Sequence, residues 1–221
     1  MNNKIIITDN KPLYLIDNEG KLDILVKENI NSKIIIISSS NYDINIKLEN
    51  NSSLLVNSLN KDNSVNVNIS LLDNSSITYN HSVLANIDSI NYFNIKHLSN
   101  SSNSVINNNG INKNKNKLFF TIDGIIPKKL TNIICNQNSK IINYNKGNSK
   151  IIPNLIIDSN DIIANHSAYI GEIGEEELFY MQSRGISKED IKKLIYKAVL
   201  LSKMEMDEER EEFNKITNEW W

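Results

Sequence analysis

The chain has 221 residues, enough for one domain with a buried core and an appendage. Its formal net charge of −2 supplies no basic field to recruit nucleic acid or an anionic membrane, and a single cysteine, Cys135, excludes an internal disulfide framework. A lone thiol also cannot hold a resident multi-thiolate metal centre, and it suits a reducing compartment, so the expected location is the cytoplasm.

In chain order, Met1 to Asp9 has one Lys and a short Ile run with no small-residue cleavage site after it, and reads as mature protein. No apolar run approaches the roughly 20 residues that span a bilayer. Short strand-like pieces then follow: Leu22 to Ile24, Ile34 to Ile37, Ile44 to Leu48, Val65 to Ile69, Ile77 to Tyr79 and Ile90 to Ile95. Leu118 to Ile122, Ile133-Ile134, Ile141-Ile142 and Leu155 to Ile157 continue the series. Ile44-Asn45-Ile46-Lys47-Leu48 and Val65-Asn66-Val67-Asn68-Ile69 alternate with period two, which buries one face and wets the other. Asn, Asp, Ser and Gly between the pieces are read as turns. Strands recurring without intervening helices exclude a doubly wound α/β sheet and leave a sandwich, a barrel or a solenoid, in which Asn side chains could stack as ladders.

The texture changes near Gly171, so residues 1–170 are read as a β core and 171–221 as a helical region. Glu175, Glu176 and Glu177 suit the positive end of a helix, and Gly185 suits its termination. Ser187 caps a second helix with Asp190 three residues on. Its predicted apolar stripe is Ile191, Leu194, Ile195, Ala198 and Val199. Asp207 to Glu212 extends this helix or starts a third, and Trp220 and Trp221 are expected to dock on the helices or on a partner.

No phosphate loop, nucleophile elbow or zinc-protease helix is present, so no catalytic residues are assigned and the chain is not expected to be an enzyme. His81 and His97 lack a carboxylate or thiol at ligand spacing and read as surface or satisfied histidines. Cys135 follows two isoleucines on a half-buried strand, where inert core competes with persulfide or iron chemistry. Gln137 and Asn138 read as ladder residues.

The segment NHSAYIGEIGEEELFYMQSRGIS, Asn165 to Ser187, resembles the C-terminal signature of the SufB/SufD family. The matching positions are His166, Gly171, Glu175 and Glu176, Leu178-Phe179-Tyr180 and Ser183-Arg184-Gly185-Ile186, and Gly171-Glu172-Ile173 resembles the SufD branch more than SufB. Phe119 to Ile157, with its Pro153-Asn154-Leu155-Ile156-Ile157 strand, resembles the late coils of the same family. The resemblance implies a right-handed parallel β-helix followed by a small helical region. It implies a non-catalytic scaffold for iron–sulfur cluster assembly that pairs with a SufB-like subunit or with itself. His166 would then lie at the pairing interface, as an iron or cluster ligand, with Cys135 the weaker second candidate. No cofactor would be permanently bound; a transient cluster or iron would be shared with the partner. The C-terminal helices would dock a SufC-type ABC ATPase through Phe179, Tyr180 and Arg184, with Phe179 also turned inward to cap the last coil and Arg184 outward. Two features depart from the family pattern: strands begin almost at the N-terminus, and Ala164 stands where some members carry a cysteine. A SufB-like homodimeric scaffold and an unrelated Asn-rich solenoid for adhesion or carbohydrate binding are the alternatives.

Overall fold

The computed structural model describes residues 3–17, 19–144, 147–203 and 213. The chain winds into a parallel β-solenoid with two sheets, and successive strands alternate between them. The first sheet holds β1 (Asn3–Ile7), β3 (Gly20–Val26), β5 (Tyr42–Leu48), β7 (Val65–Leu71), β9 (Ser89–His97), β11 (Lys117–Ile126) and β13 (Asn148–Ile157). The second holds β2 (Leu13–Ile16), β4 (Asn31–Ser38), β6 (Ser53–Lys61), β8 (Ser76–Ala85), β10 (Asn103–Asn112), β12 (Thr131–Asn143) and β14 (Asp161–Glu172). A mainly β solenoid is thus the outcome among the architectures left open by periodicity.

Register explains why no strict repeat is visible in the sequence. Side chains stacked on neighbouring coils lie 22 residues apart at Asp23 and Asn45, 26 at Asn68 and Asn94, and 31 at Asn107 and Asn138. Coils lengthen to 31 residues and the last shortens to 29, while the strands stay in register because both the corners and the strands themselves take up the added residues. One corner is turned in successive coils by Asn29, Asn51, Asn74, Ser101 and Asn132, all with positive φ near 50–60°. Asn tolerates this left-handed conformation better than branched residues do. Asn74 donates to Asn51 at 2.9 Å, so the corners also stack.

Inside, Leu22, Ile44, Val67, Phe93 and Ile122 form one register column, and Ile34, Val56, Tyr79 and Ile106 face them from the second sheet. Nearly all are fully buried, and each such side chain stabilises by about 1.5–3 kcal/mol. Tyr79 meets Phe93 edge to face with ring centroids 5.4 Å apart.

The Asn residues do more than turn the chain. On the outer face of the second sheet, Asn80 donates to Asn57 (2.9 Å), Asn107 to Asn80 (2.8 Å), Asn138 to Asn107 (3.1 Å) and Ser167 to Asn138 (2.9 Å). A parallel in-register sheet places like side chains at the strand spacing, where each amide can bond the next. Asn and Ser that read as turn formers therefore lie mid-strand. Ile133-Ile134 and Ile141-Ile142 belong to one strand, β12, and β6, β10 and β14 run through segments read as polar connections.

Among the described residues, α1 (Glu175–Ser183) and α2 (Lys188–Leu200) follow. Glu175, Glu176 and Glu177 occupy the first turn of α1, and Gly185 takes φ +83° after it. The Ser187 hydroxyl accepts from the Asp190 amide at 3.1 Å, which caps α2 as its sequence indicates. The buried face of α2 differs from the predicted stripe. Ile191, Tyr196 and Leu200 are buried, whereas Leu194 and Ala198 are exposed. The helix lies on the outer face of the second sheet, and with Leu201 and Phe213 it covers Ile35, Ile37, Leu59, Leu84, Ile111 and Ile142. Its C-terminal end is satisfied by the sheet: Ser82 donates to the Leu200 carbonyl (2.6 Å) and Asn80 to that of Lys203 (3.2 Å). The sheet thus selects which side of α2 is buried. The readings of the acidic run Asp207–Glu212 and of Trp220 and Trp221 lie outside the described residues.

Candidate functional site

The candidate site lies at the C-terminal end of the solenoid, where β13 and β14 form the last coil. Neither strand contains a buried residue. Ile162, Ala164, Leu155 and Ile157 pack only partly against Ile126, Ile133 and Cys135. β14 is the edge of its sheet, and one flank of its backbone has no strand partner among the described residues. α1 does not close this end: it has no buried residue, Phe179 is 74% exposed and Tyr180 60% exposed. The expected inward packing of Phe179 against the last coil is thus not observed. A short turn joins α1 to α2, which is anchored to the side of the solenoid.

His166 lies in this bare coil. Its register partner is Gln137, and the column continues inward through Ile106 and Tyr79. It therefore occupies an interior position that is exposed only because the stack stops there. No hydrogen bond joins its ring to another described residue, so the ring is available to a ligand from outside. Gln137 beneath it is 1% exposed and donates to the Asn154 carbonyl at 3.1 Å.

Cys135 is on the same interior face of β12, paired with Ala164. It is 1% exposed, more deeply buried than a half-buried strand position would give. Burial pushes its thiol pKa up, partly offset by a hydrogen bond with Ser104, so the thiolate is disfavoured. Gly124 makes room for it: a Cβ there would fall 2.8 Å from Cys135 Sγ and 2.9 Å from Gln137 Nε2. His166 and Cys135 are thus diagonal neighbours across adjacent strands, one at the surface and one beneath it.

The other two histidines are interior groups with hydrogen-bond partners, so of the two readings, surface or satisfied, the second holds. His81 is fully buried, and its Nδ1 lies 3.0 Å from Ser58 Oγ. Its ring meets Phe93 and Phe120 edge to face at 5.2 and 5.9 Å. Burial lowers its pKa to about 3, with the Asn91 side chain opposing. His97 is also buried, with its ring nitrogens 2.8 Å from Ser102 Oγ and 3.0 Å from Ser104 Oγ, and burial lowers its pKa to about 4. Both rings are neutral and structural. Alternating strands hid this, because a His among Asn and Ser gives no apolar signal that it points inward.

Among the described residues, no three His, Cys, Asp or Glu side chains converge as a metal site. A cleft of about 860 Å³ lies on the outer face of the second sheet between residues such as Lys33, Leu55, Thr78, Asn107 and Lys203, and neither His166 nor Cys135 lines it. Tyr180 and Arg184 sit together on the exposed side of α1, with the guanidinium 5.4 Å from the ring centre. No helix among the described residues is long and apolar enough to cross a membrane.

Residues 43–199 match the family model for the SUF system FeS cluster assembly SufBD core domain. The chain is 29% identical over 102 residues to the iron–sulfur cluster assembly protein SufD of Bacillus subtilis (strain 168), covering 46% of this chain and 23% of that protein. It is 33% identical over 105 residues to SufB of the same organism, covering 45% of this chain and 22% of that protein. The chain thus aligns with less than a quarter of either relative. With a matched core that spans most of its length and a parallel solenoid followed by α1 and α2, the chain belongs to the SufB/SufD family.

Proposed function

We propose that this chain is a non-catalytic scaffold subunit for SUF-type iron–sulfur cluster assembly. It joins a SufB-like subunit, or a second copy of itself, through the open end of the solenoid, and holds a SufC-type ABC ATPase on α1. The observation that carries this reading is the bare last coil. A solenoid end that the described residues leave uncapped exposes apolar interior and an unpaired strand edge, and another solenoid end satisfies both at once. Family membership supplies the context of cluster assembly and displaces the reading as an unrelated adhesion solenoid.

At such a junction His166 would face the partner. A neutral imidazole binds iron, and because this chain lacks three converging donors among its described residues, a cluster or iron passing through would take its other ligands from the partner. Cys135, buried and protonated, would need the coil to open before it could contribute. The ATPase would grip Phe179, Tyr180 and Arg184, which combine large exposed apolar area with a forked cation. Closure of the ATPase pair would then move the rigid solenoids against one another.

Two measurements test this. Phe179→Ala with Arg184→Ala should abolish co-purification with the ATPase while leaving the circular dichroism of the solenoid unchanged; undiminished capture removes the docking surface. Anaerobic reconstitution with iron and sulfide separates a SufB-like homodimer from a scaffold needing a partner. Visible cluster absorption from this chain alone would favour the homodimer, whereas Ala164 in place of the family cysteine favours dependence on a partner.

A further inference from the structure

A cleft of about 170 Å³ opens between the first half of α2 and the corner of the solenoid where its second-sheet strands end. Lys113, just past β10, and Tyr144, just past β12, form the floor: the Lys113 amide donates to the Ala85 carbonyl and the Tyr144 amide to that of Asn112. Glu189, Lys192, Lys193 and Tyr196 of α2 form the opposite wall. The ammonium of Lys192 lies 4.6 Å from the Tyr144 ring centre, and that of Lys113 5.5 Å from the Tyr196 ring centre. The two lysines thus clasp the corner from opposite sides, each held over the partner wall's aromatic ring.

The charge here is unlike that of the chain as a whole. Lys61 is close enough to act on Lys113, as is Lys192, and Lys193 lines the same cleft. Among the described residues two acids, Asp62 and Glu189, act on Lys113 in the opposite sense. Asp62 accepts from both the backbone and the side-chain amide of Asn86, which occupies its oxygens. Glu189 lies at the rim and is exposed. No carboxylate forms a salt bridge with Lys113, Lys192 or Lys193 among the described residues. Half-burial without such a partner lowers the Lys113 pKa, first by desolvation and then by repulsion from Lys61. Confined like charges of this kind are relieved by a multivalent anion.

We propose that this cleft binds a phosphate-class oxyanion, with Lys113, Lys192 and Lys193 as its cationic donors. The volume suits one tetrahedral dianion and is below the few hundred Å³ that whole organic ligands occupy. Lysine ammoniums bind phosphate as point charges, each with three donors. Because the donors come from α2 and from the solenoid corner, a bound anion would also fasten the helix that carries α1.

The test uses the full chain and inorganic phosphate at constant ionic strength, followed by thermal unfolding and by amide shifts around Lys113 and Lys192. Saturable stabilisation is expected. Lys113→Gln with Lys192→Gln should weaken it by roughly tenfold or more, whereas Lys21→Gln on the opposite sheet should leave it unchanged. ADP competing at lower concentration than phosphate would assign the site to a nucleotide phosphoryl group; phosphate alone would assign it to the free ion. Acetate binding as well as phosphate, an unsaturating response, or equal binding by the double variant would overturn the proposal. None of these outcomes depends on a SUF partner.

Discussion

Acid should destabilise this solenoid through two buried histidines. His81 and His97 have native pKa values lowered by burial to about 3 and about 4, against 6.5 for the ordinary side chain. Below pH 6.5 the unfolded chain takes up a proton at each, while the native state does not until the lower values are reached. Stability is therefore full above the unfolded pKa and falls as pH falls through this window. At pH 5.0, roughly 1.5 units below the unfolded value, each histidine costs about 2 kcal/mol, and the pair about 4 kcal/mol. That is a large part of the ~5–15 kcal/mol typical of a folded domain. The assay is urea unfolding at pH 7.5 and 5.0 for the wild type and for His81→Asn, a change that keeps a polar group near Ser58 and cannot titrate. The variant should be less stable at pH 7.5, because it loses the ring contacts with Phe93 and Phe120. Its loss between the two pH values should be smaller than the wild type's by about 2 kcal/mol. Carboxylate contributions are shared by both proteins and cancel in this difference. An equal pH dependence in the two proteins would refute a buried neutral His81.

Other perturbations probe the packing around the open end. Gly124→Ala should destabilise by about 1–3 kcal/mol, since its Cβ would crowd Cys135 Sγ and Gln137 Nε2. Adding Cys135→Ala should recover part of that loss in thermal unfolding, and a neutral Gly124→Ala would contradict the crowding. Asn107→Ala removes two rungs of the outer ladder, one to Asn80 and one from Asn138. It should cost about 1–3 kcal/mol in chemical denaturation; a cost no larger than that of a surface Asn→Ala elsewhere would show that the ladder adds little.

The alternating segments were legible because burial on one face writes period two into the chain. Ile44 to Leu48 and Val65 to Ile69 are strands as read. Asn103 to Asn112 was not legible, although it forms a full strand. Its Asn107 is satisfied by amides on the coils before and after it, a partnership between residues 27 and 31 positions apart that no local window contains. The same blindness applied to His81 and His97, whose inward direction follows from register with Ser58 and Leu71. In the helical region, caps and dipole complements depend on neighbours three or four residues away, so Ser187 and Glu175 to Glu177 were read correctly. The buried face of α2 depends on which sheet surface it meets, and it moved to Ile191, Tyr196 and Leu200.

By itself, the sequence determined that this is a mainly β chain with a short helical tail, and its tail motif indicated the family. Local sterics and side-chain periodicity act over a few residues and are therefore written in the chain. Only the tertiary structure decided that the last coil stands open with His166 at its rim, that Cys135 lies beneath it, and that Phe179 faces solvent rather than capping the stack. Those outcomes depend on where the stack ends and on which surface anchors α2, both set by contacts between segments distant in sequence.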